Sequence, residues 1–336
     1  MTHITLPHDD TTQRGVSFWL AAEEWLARSG EEGPFFLMWQ VAPSVIFGRN
    51  QVMESEVNEA YCRREGISIY RRKSGGGCVY ADQSNVMLSY VARDDGRSVA
   101  EVFGAYVGRV AEVLRQMGVP ATASGRNDIM IGDRKVSGNA FYHVAGHYIA
   151  HGTLLYDTNM QHMVGAITPS DEKLVSKGVQ SVRQHVALLR DYTALSLEEV
   201  KAFIAQRLCD SLRCLTPTEV EAIEVLEREY LEPAFVRGRR SHYTTVRHQR
   251  LEGVGEMELR LSVRGGVIED LDLLGDYFVT GDVNEHILRP LRGVRLEREA
   301  ILAALPPDVG SAILGLTREN LATLLEPLNH LNKTSL

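Results

Sequence analysis

The chain has 336 residues, 44% of them hydrophobic and 24% charged, and a formal net charge of -8. Single cores tend to split above roughly 250 to 300 residues, so one large domain plus a smaller one is expected, and the negative charge argues against general nucleic-acid affinity. No apolar stretch approaches the roughly 18 to 20 residues of a membrane span, and "MTHITLPHDDTTQRG" lacks the basic start and apolar segment of a signal peptide, which points to a cytoplasmic protein.

Residues 16 to 30, "VSFWLAAEEWLARSG", space their apolar side chains as an amphipathic helix does and end on Gly30, a helix stop. "FFLMWQVAPSVIFGRN" supplies two short β-rich runs broken at Pro43. "NEAYCRREG" reads as helix, "ISIYRRK" as strand and "CVYADQSNVMLSYV" as further strand, and a helix from about Val99 to Met117 carries Val102, Val107, Val110 and Leu114. Residues 123 to 155, "ASGRNDIMIGDRKVSGNAFYHVAGHYIAHGTLL", alternate short apolar runs with Gly and Asp turn signals, as antiparallel sheets do. Residues 168 to 190 are polar, basic and weakly periodic, which predicts a loop. Ser196, an N-cap with Glu199 after it, opens helical patterning that runs to about Leu231. A basic, poorly periodic patch, "FVRGRRSHYTTVRHQR", precedes "EMELRLSVRGGVIEDLDLLG", a hairpin with a Gly-Gly turn, and a mostly helical remainder. A second, α+β domain is therefore expected to begin near residue 250.

Cys62, Cys78, Cys209 and Cys214 show no CxxC spacing, so a disulfide framework or structural zinc site is not expected. Positive charge gathers at Arg71, Arg72 and Lys73, at Arg134 and Lys135, and at Lys173, Lys177 and Arg183, clusters that suit an anionic small ligand better than DNA. Walker A, dinucleotide-binding, H-E-x-x-H and G-x-S-x-G motifs are all missing.

Two stretches carry chemistry. In "RRKSGGGCVYAD", three glycines between β-favouring runs let backbone N–H groups approach an anion while the neighbouring arginines neutralise it. The competing reading is a tight turn beside a solvated basic face. In "SGRNDIMIGDRKVSGNA", Asn127 and Asp128 precede a short strand and Lys135 follows a Gly-Asp turn, with Ser137 and Gly138 next and little side-chain bulk. A lysine so placed can reach a phosphate or polarise a carbonyl, with the carboxylate nearby for a magnesium ion.

Together with "HGTLL" at 151 to 155, "KLVSKGVQSVR" at 173 to 183, "FWLAAEE" and "VIFGRNQ", these stretches closely resemble the lipoate-protein ligase family, in the family's order over roughly the first two-thirds of the chain. The C-terminal segment resembles its small accessory domain. The resemblance implies an α+β fold: a large catalytic domain (1–245) of mixed and antiparallel sheets flanked by helices, as in biotin and lipoyl ligases, and a small accessory domain (250–336). It implies a cytoplasmic enzyme, expected to be a monomer, that turns lipoate and Mg-ATP into lipoyl-AMP and passes the lipoyl group to a lysine of an apo lipoyl domain. The acceptor would be a 2-oxoacid dehydrogenase subunit or the glycine cleavage H protein.

By the same resemblance, Lys135 contacts the lipoate carboxyl and the α-phosphate. Arg72, Ser74, Gly75, Gly76, Gly77 and Val79 line the acyl-adenylate, and Asn127 and Asp128 hold the nucleotide or its magnesium. Ser137 and Gly138 leave room for it, His151 closes the acyl pocket, and Ala140, Gly152 and Thr153 belong to the substrate- and adenylate-binding set. Residues 168 to 183 form the adenylate-binding loop through Lys173, Lys177, Ser181 and Arg183. Two positions depart from the family: Ala81 stands where histidine is frequent, and Trp19 where asparagine is common, both near the expected acyl pocket.

Rival readings are an amidotransferase that uses a preformed acyl-nucleotide or acyl-protein donor without ATP, and a catalytically silent lipoyl-binding protein, which the intact Lys135 disfavours. A thioester enzyme of the same fold would need a cysteine near "HGTLL", and none lies between Cys78 and Cys209.

Overall fold

The computed structural model describes residues 1–124, 127–167, 185–238, 243 and 245–325. They form two compact units. The first comprises Met1–Arg49, Met53–Ser74 and Cys78–Gly238; the second gathers Asn50–Val52 and Gly75–Gly77 with the described residues from 243 on.

Eleven strands build the first unit: β1 (Thr2–Thr5), β2 (Phe35–Trp39), β3 (Ser44–Phe47), β4 (Ser68–Arg71), β5 (Val79–Ala81), β6 (Val86–Arg93), β7 (Ala121–Ala123), β8 (Asp128–Ile131), β9 (Arg134–Val144), β10 (His147–Leu154) and β11 (Ser211–Cys214). Eight of them form one sheet in the order β11-β1-β2-β6-β10-β9-β8-β7. Its β6-to-β7 side is antiparallel throughout, as the alternating turn signals of 123 to 155 imply, whereas β1 runs parallel to both β2 and β11. A second sheet places β3 between β4 and β5.

Helix α1 (Val16–Arg28) buries nearly every residue, with Val16, Ala21, Ala22, Glu23, Glu24 and Leu26 all at 0% exposure. A helix buried on all sides belongs in an interior rather than on a surface. It packs on the face of the large sheet formed by β6, β9 and β10, while α3 (Val99–Gln116) contacts β7, β8 and β10. Between them in the chain, α2 (Glu59–Glu65) is capped by the Asn58 side chain. Further on come α4 (Met160–Ile167), α5 (Leu197–Leu208) and α6 (Pro217–Leu231). Ser98, Ser196 and Thr216 each close a capping box with a glutamate, satisfying helix donors that otherwise lack partners. No helix among the described residues is long and apolar enough to cross a membrane.

The second unit carries the antiparallel sheet β12 (Thr245–Leu251), β13 (Gly255–Arg264) and β14 (Val267–Gly275), with a core that includes Leu259, Leu261, Ile268, Ile287, Ile301 and Leu321. Helices α7 (Arg298–Ala304) and α8 (Arg318–Leu325) follow. The β13–β14 turn is the expected Gly-Gly pair, Gly265 and Gly266, both at positive φ. Within this unit the glycine run has a steric reason of its own. Gly76 donates its N–H to the Tyr277 carbonyl at 3.2 Å. A Cβ on Gly75 would collide with that same carbonyl oxygen, and Gly76 itself sits at φ +83.

Two elements differ from expectation. The helical patterning from Ser196 to Leu231 is interrupted by β11, which pairs with β1 at Thr2↔Ser211 to Thr5↔Cys214. The basic patch before residue 250 contains β12, whose burial leaves only Leu251 inside. An edge strand with no apolar face has no period-two signal to read.

Candidate active site

The register of the large sheet aligns the expected residues in two rows on its α1 side. Asp128 opposes Gly138, Gly138 opposes Thr153, Thr153 opposes Met87 and Met87 opposes Trp39. In the next row, Ala140 opposes His151 and His151 opposes Ser89. Cross-strand partners share a face, so these side chains stand together although far apart in the chain.

Lys135 is aimed by a β-bulge. Ile129 pairs with Ser137 but Met130 pairs with Lys135, so Val136 is the extra residue. Val136 turns fully inward, at 0% exposure, while the Lys135 side chain stays 41% exposed. The backbone beneath it is pinned on both sides: the Lys135 carbonyl accepts the Ala187 N–H at 2.8 Å, and the Val136 carbonyl accepts the Leu155 N–H at 2.9 Å. The ammonium lies 2.9 Å from Asp128 Oδ1. It occupies space that Gly138 leaves open: a Cβ there would come within 2.5 Å of Lys135 Cε and 2.6 Å of Nζ. Asn127 braces the hairpin, donating from Nδ2 to the Asn139 carbonyl at 3.0 Å, and Asn139 Nδ2 returns a bond to the Asn127 carbonyl at 2.9 Å and another to Ser137 Oγ at 3.1 Å.

The second group converges on His151. Arg72 Nε donates to Ser74 Oγ at 2.9 Å, Ser74 Oγ lies 2.7 Å from His151 Nε2, and His151 Nδ1 lies 2.7 Å from Glu23 Oε2. The other Glu23 oxygen accepts Ser89 Oγ at 2.5 Å, and Ser89 in turn accepts Trp39 Nε1 at 2.8 Å. Arg72 also donates from Nη1 to the Ile46 carbonyl at 2.9 Å. Burial brings its guanidinium down to about 10, still cationic at neutral pH.

One residue along α1, Glu24 accepts Lys73 Nζ at 2.7 Å, Tyr230 Oη at 2.7 Å, and Arg28 through Nε at 2.9 Å and Nη2 at 2.7 Å. Lys73, which the sequence offers as part of a positive cluster, thus spends its charge on Glu24 and on Glu229 at 2.9 Å.

Apolar side chains flank these groups. Trp19 stacks on Trp39, with ring centroids 6.0 Å apart and planes at 10°. Both belong to the cluster that holds Ala81, Met87 and Tyr142, with Val79 packed against it. The two departures from the family pattern, Trp19 and Ala81, therefore meet in one apolar cluster.

The first unit thus brings together Lys135, Asp128 and Gly138, and separately Arg72, Ser74 and His151, with Ala140 and Thr153 in the same rows, Asn127 just before β8, and Ser137 on the opposite face, where Asn139 bonds its hydroxyl. Gly152 lies one residue out of phase with His151 and faces the opposite side. A Cβ there would meet the Gly138 carbonyl oxygen at 2.6 Å and Asn139 Cγ at 2.7 Å, so this glycine makes room for the sheet itself. Gly152→Ala is expected to cost about 1 to 3 kcal/mol of stability through overpacking, measurable by denaturant titration. Gly75, Gly76 and Gly77 belong to the second unit. Lys173, Lys177, Ser181 and Arg183 lie outside the described residues.

Glu23 and Ser89, which join the His151 group, are not singled out by the sequence; the available signal was an acidic pair, Glu23 and Glu24, inside the otherwise apolar run of α1. Burial pushes the Cys62 and Cys209 thiols up to about 11. The Cys78 thiol rises further as it loses hydration, against the pull of Arg72. A thioester mechanism needs a thiolate, which these three do not offer at neutral pH. Among the described residues no group of three or more His, Cys, Asp and Glu side chains could hold a metal ion. A single carboxylate such as Asp128 nevertheless fits magnesium, which takes one or two carboxylates and draws its remaining ligands from phosphates and water.

The model of the lipoyl protein ligase A/B catalytic domain matches residues 16–209, and that of the bacterial lipoate protein ligase C-terminus matches residues 240–325. Lipoate-protein ligase LplJ of Bacillus subtilis (strain 168) is 34% identical over 292 residues, covering 84% of this chain and 88% of that protein. The chain belongs to the lipoate-protein ligase family. Lipoate-protein ligase 1 of Staphylococcus aureus (strain Mu50) is likewise 34% identical over 274 residues, 79% of this chain and 83% of its own. The bi-partite lipoate protein ligase of Thermoplasma acidophilum, studied with its E2 lipoyl domain, superposes with a TM-score of 0.64 at 26% identity, covering 73% of this chain and 98% of that one. Membership confirms the α+β architecture expected from the sequence and sets aside the silent binding protein.

Proposed function

We propose that this enzyme activates lipoate with ATP and transfers the lipoyl group to a lysine of an apo lipoyl domain. In the first step a lipoate carboxylate oxygen bonds to the α-phosphorus, the bond to the β-phosphate oxygen breaks, and pyrophosphate leaves. In the second the acceptor ammonium gives one proton to solvent, the resulting amine bonds to the acyl carbon and gives up a second proton to solvent, and AMP departs with the electrons of the acyl-oxygen bond.

The observation that carries this reading is the Lys135 ammonium, held 2.9 Å from Asp128 over the gap at Gly138 on a backbone pinned by Ala187 and Leu155. A fixed cation there stabilises charge on the α-phosphoryl oxygens as the adenylate forms and on the oxyanion as the amine attacks. Arg72, whose charge survives burial, supports the same anion, and Val79 lies on the apolar side where the acyl chain would run. Asp128 would hold magnesium, which neutralises phosphate charge when bound. Lys173, Lys177, Ser181 and Arg183 remain the proposed contacts of the adenylate-binding loop, by resemblance alone. The acceptor is proposed to be a lipoyl domain of a 2-oxoacid dehydrogenase or the glycine cleavage H protein, and the enzyme a cytoplasmic monomer.

Lipoate-dependent exchange of labelled pyrophosphate into ATP tests the activation step. The enzyme should catalyse it, whereas an amidotransferase working from a preformed donor would show none. Gly138→Ala gives a sharper check. The added methyl displaces only the flexible end of Lys135, so the thermal midpoint should hold while exchange slows by roughly 10- to 100-fold. A fully active Gly138→Ala enzyme would mean that the ammonium need not sit where it does.

A further inference from the structure

We propose that Glu23 is a positioning residue for acyl-adenylate formation, acting through His151 and Ser74 on Arg72. This rests on the reading of the site given above. The hydrogen-bond chain has a direction that chemistry dictates. The guanidinium of Arg72 and the indole N–H of Trp39 can only donate. Ser74 accepts from Arg72 and Ser89 accepts from Trp39, which leaves each hydroxyl proton to be passed inward. Ser89 passes its proton to Glu23 Oε1. Ser74 Oγ lies 2.7 Å from His151 Nε2 and His151 Nδ1 lies 2.7 Å from Glu23 Oε2; a carboxylate can only accept, so a neutral ring donates from Nδ1 and takes the Ser74 proton at Nε2. Two chains of donors entering from opposite sides therefore end on the two oxygens of one carboxylate.

Every member is buried: Glu23, Ser74 and Ser89 at 0% exposure, Trp39 at 2%, His151 at 4% and Arg72 at 5%. Water cannot substitute for a missing partner there, so the carboxylate settles the tautomer of His151, the tautomer settles the Ser74 hydroxyl, and the hydroxyl leaves its lone pair to Arg72. A positioning role follows from the end of the chain: Arg72 is the member whose cationic head serves the reacting anion. Ser74 is not a nucleophile in this arrangement, because its proton and its oxygen are both committed.

An amide cannot accept on both sides, which makes Glu23→Gln, nearly the same size, a probe of direction. If the amide nitrogen faces His151, the ring must carry its proton on Nε2 and point it at Ser74. If it faces Ser89, that hydroxyl loses its acceptor. Lipoate-dependent pyrophosphate exchange in Glu23→Gln is expected to show a kcat lowered by about 10- to 100-fold with the KM for ATP little changed, and Glu23→Asp, which keeps two accepting oxygens, to recover part of it. Imidazole 15N spectra of His151 supply the second readout. The wild type should show the Nδ1–H tautomer. Ser74→Ala cuts the same chain without touching α1 and should lower kcat alike, so the proposal stays testable if Glu23→Gln fails to fold. Full kcat in Ser74→Ala or in a folded Glu23→Gln would overturn it, and so would a wild-type ring protonated at Nε2 alone. A wild type with the Nδ1–H ring but no lipoate-dependent exchange would remove the acyl-adenylate reading, and the positioning role with it, while leaving the hydrogen-bond chain intact.

Discussion

With Lys135 replaced by alanine, lipoate-dependent exchange of pyrophosphate into ATP is expected to fall by about 100- to 1,000-fold, the range seen when a preorganised donor to a developing anion is removed. The loss should be chemical and not structural. The Lys135 side chain is 41% exposed and its ion-pair partner Asp128 is 27% exposed. A pair that open to water contributes about 1 kcal/mol or less, so thermal unfolding should scarcely change. Arginine should not rescue it fully, since a planar guanidinium presents its charge in a different geometry from a compact ammonium. Transfer from added lipoyl-AMP to an apo lipoyl domain should also slow, because in the proposed mechanism the same cation would face the oxyanion of the second step. Adenylation at the wild-type rate in Lys135→Ala would remove this lysine from the mechanism.

The largest effect on stability is expected at Glu24. Its carboxylate is wholly buried and accepts hydrogen bonds from Lys73, Tyr230 and Arg28. Breaking a buried pair costs about 3 to 5 kcal/mol when the remaining charge is stranded. Arg28 is half-exposed and Lys73 keeps Glu229, so Glu24→Gln should sit near the lower end. At roughly 2 to 4 °C per kcal/mol for a unit of this size, a loss of about 3 kcal/mol lowers the midpoint by roughly 6 to 12 °C. The substitution should also change the response to acid. Burial alone would raise the Glu24 carboxyl, but the hydrogen bonds from Lys73, Tyr230 and Arg28 and the Lys73 charge outweigh it and hold the group below its ordinary value of 4.5. A carboxyl depressed on folding stabilises fully above its unfolded value, and that contribution is lost as pH falls through the folded one. The wild type should therefore lose more stability than Glu24→Gln between neutral pH and the acid side of 4.5. Parallel acid limbs in denaturant titrations would show that Glu24 is not the group responsible.

Local patterns made much of this legible. Apolar spacing and Gly30 bracket α1, Ser196 and Glu199 form the capping box they imply, and the turn signals of 123 to 155 become the β7-to-β10 ladder. Lys135 and Asp128 were accessible for the same reason, since one hairpin holds both. What stayed hidden depends on partners distant in sequence. Glu23 meets Ser89 and His151 across separations of 66 and 128 residues, so nothing in its neighbourhood distinguishes it from Glu24, which has an unrelated task. The glycines show another limit of sequence reading: freedom to approach a ligand and lack of room beside a carbonyl or a neighbouring strand leave the same letter, as Gly75 and Gly152 show.

The pairing of β1 with β11 has a consequence for synthesis. Thr2 and Ser211, joined through their hydroxyls at 2.9 Å, are 209 residues apart, whereas β7 to β10 close over short turns. Closing so long a loop is entropically slow compared with zipping hairpins. While the chain is still emerging from the ribosome, the outer rim of β1 therefore waits with its amides and carbonyls unclaimed, a strand border open to other chains until Cys214 has been made.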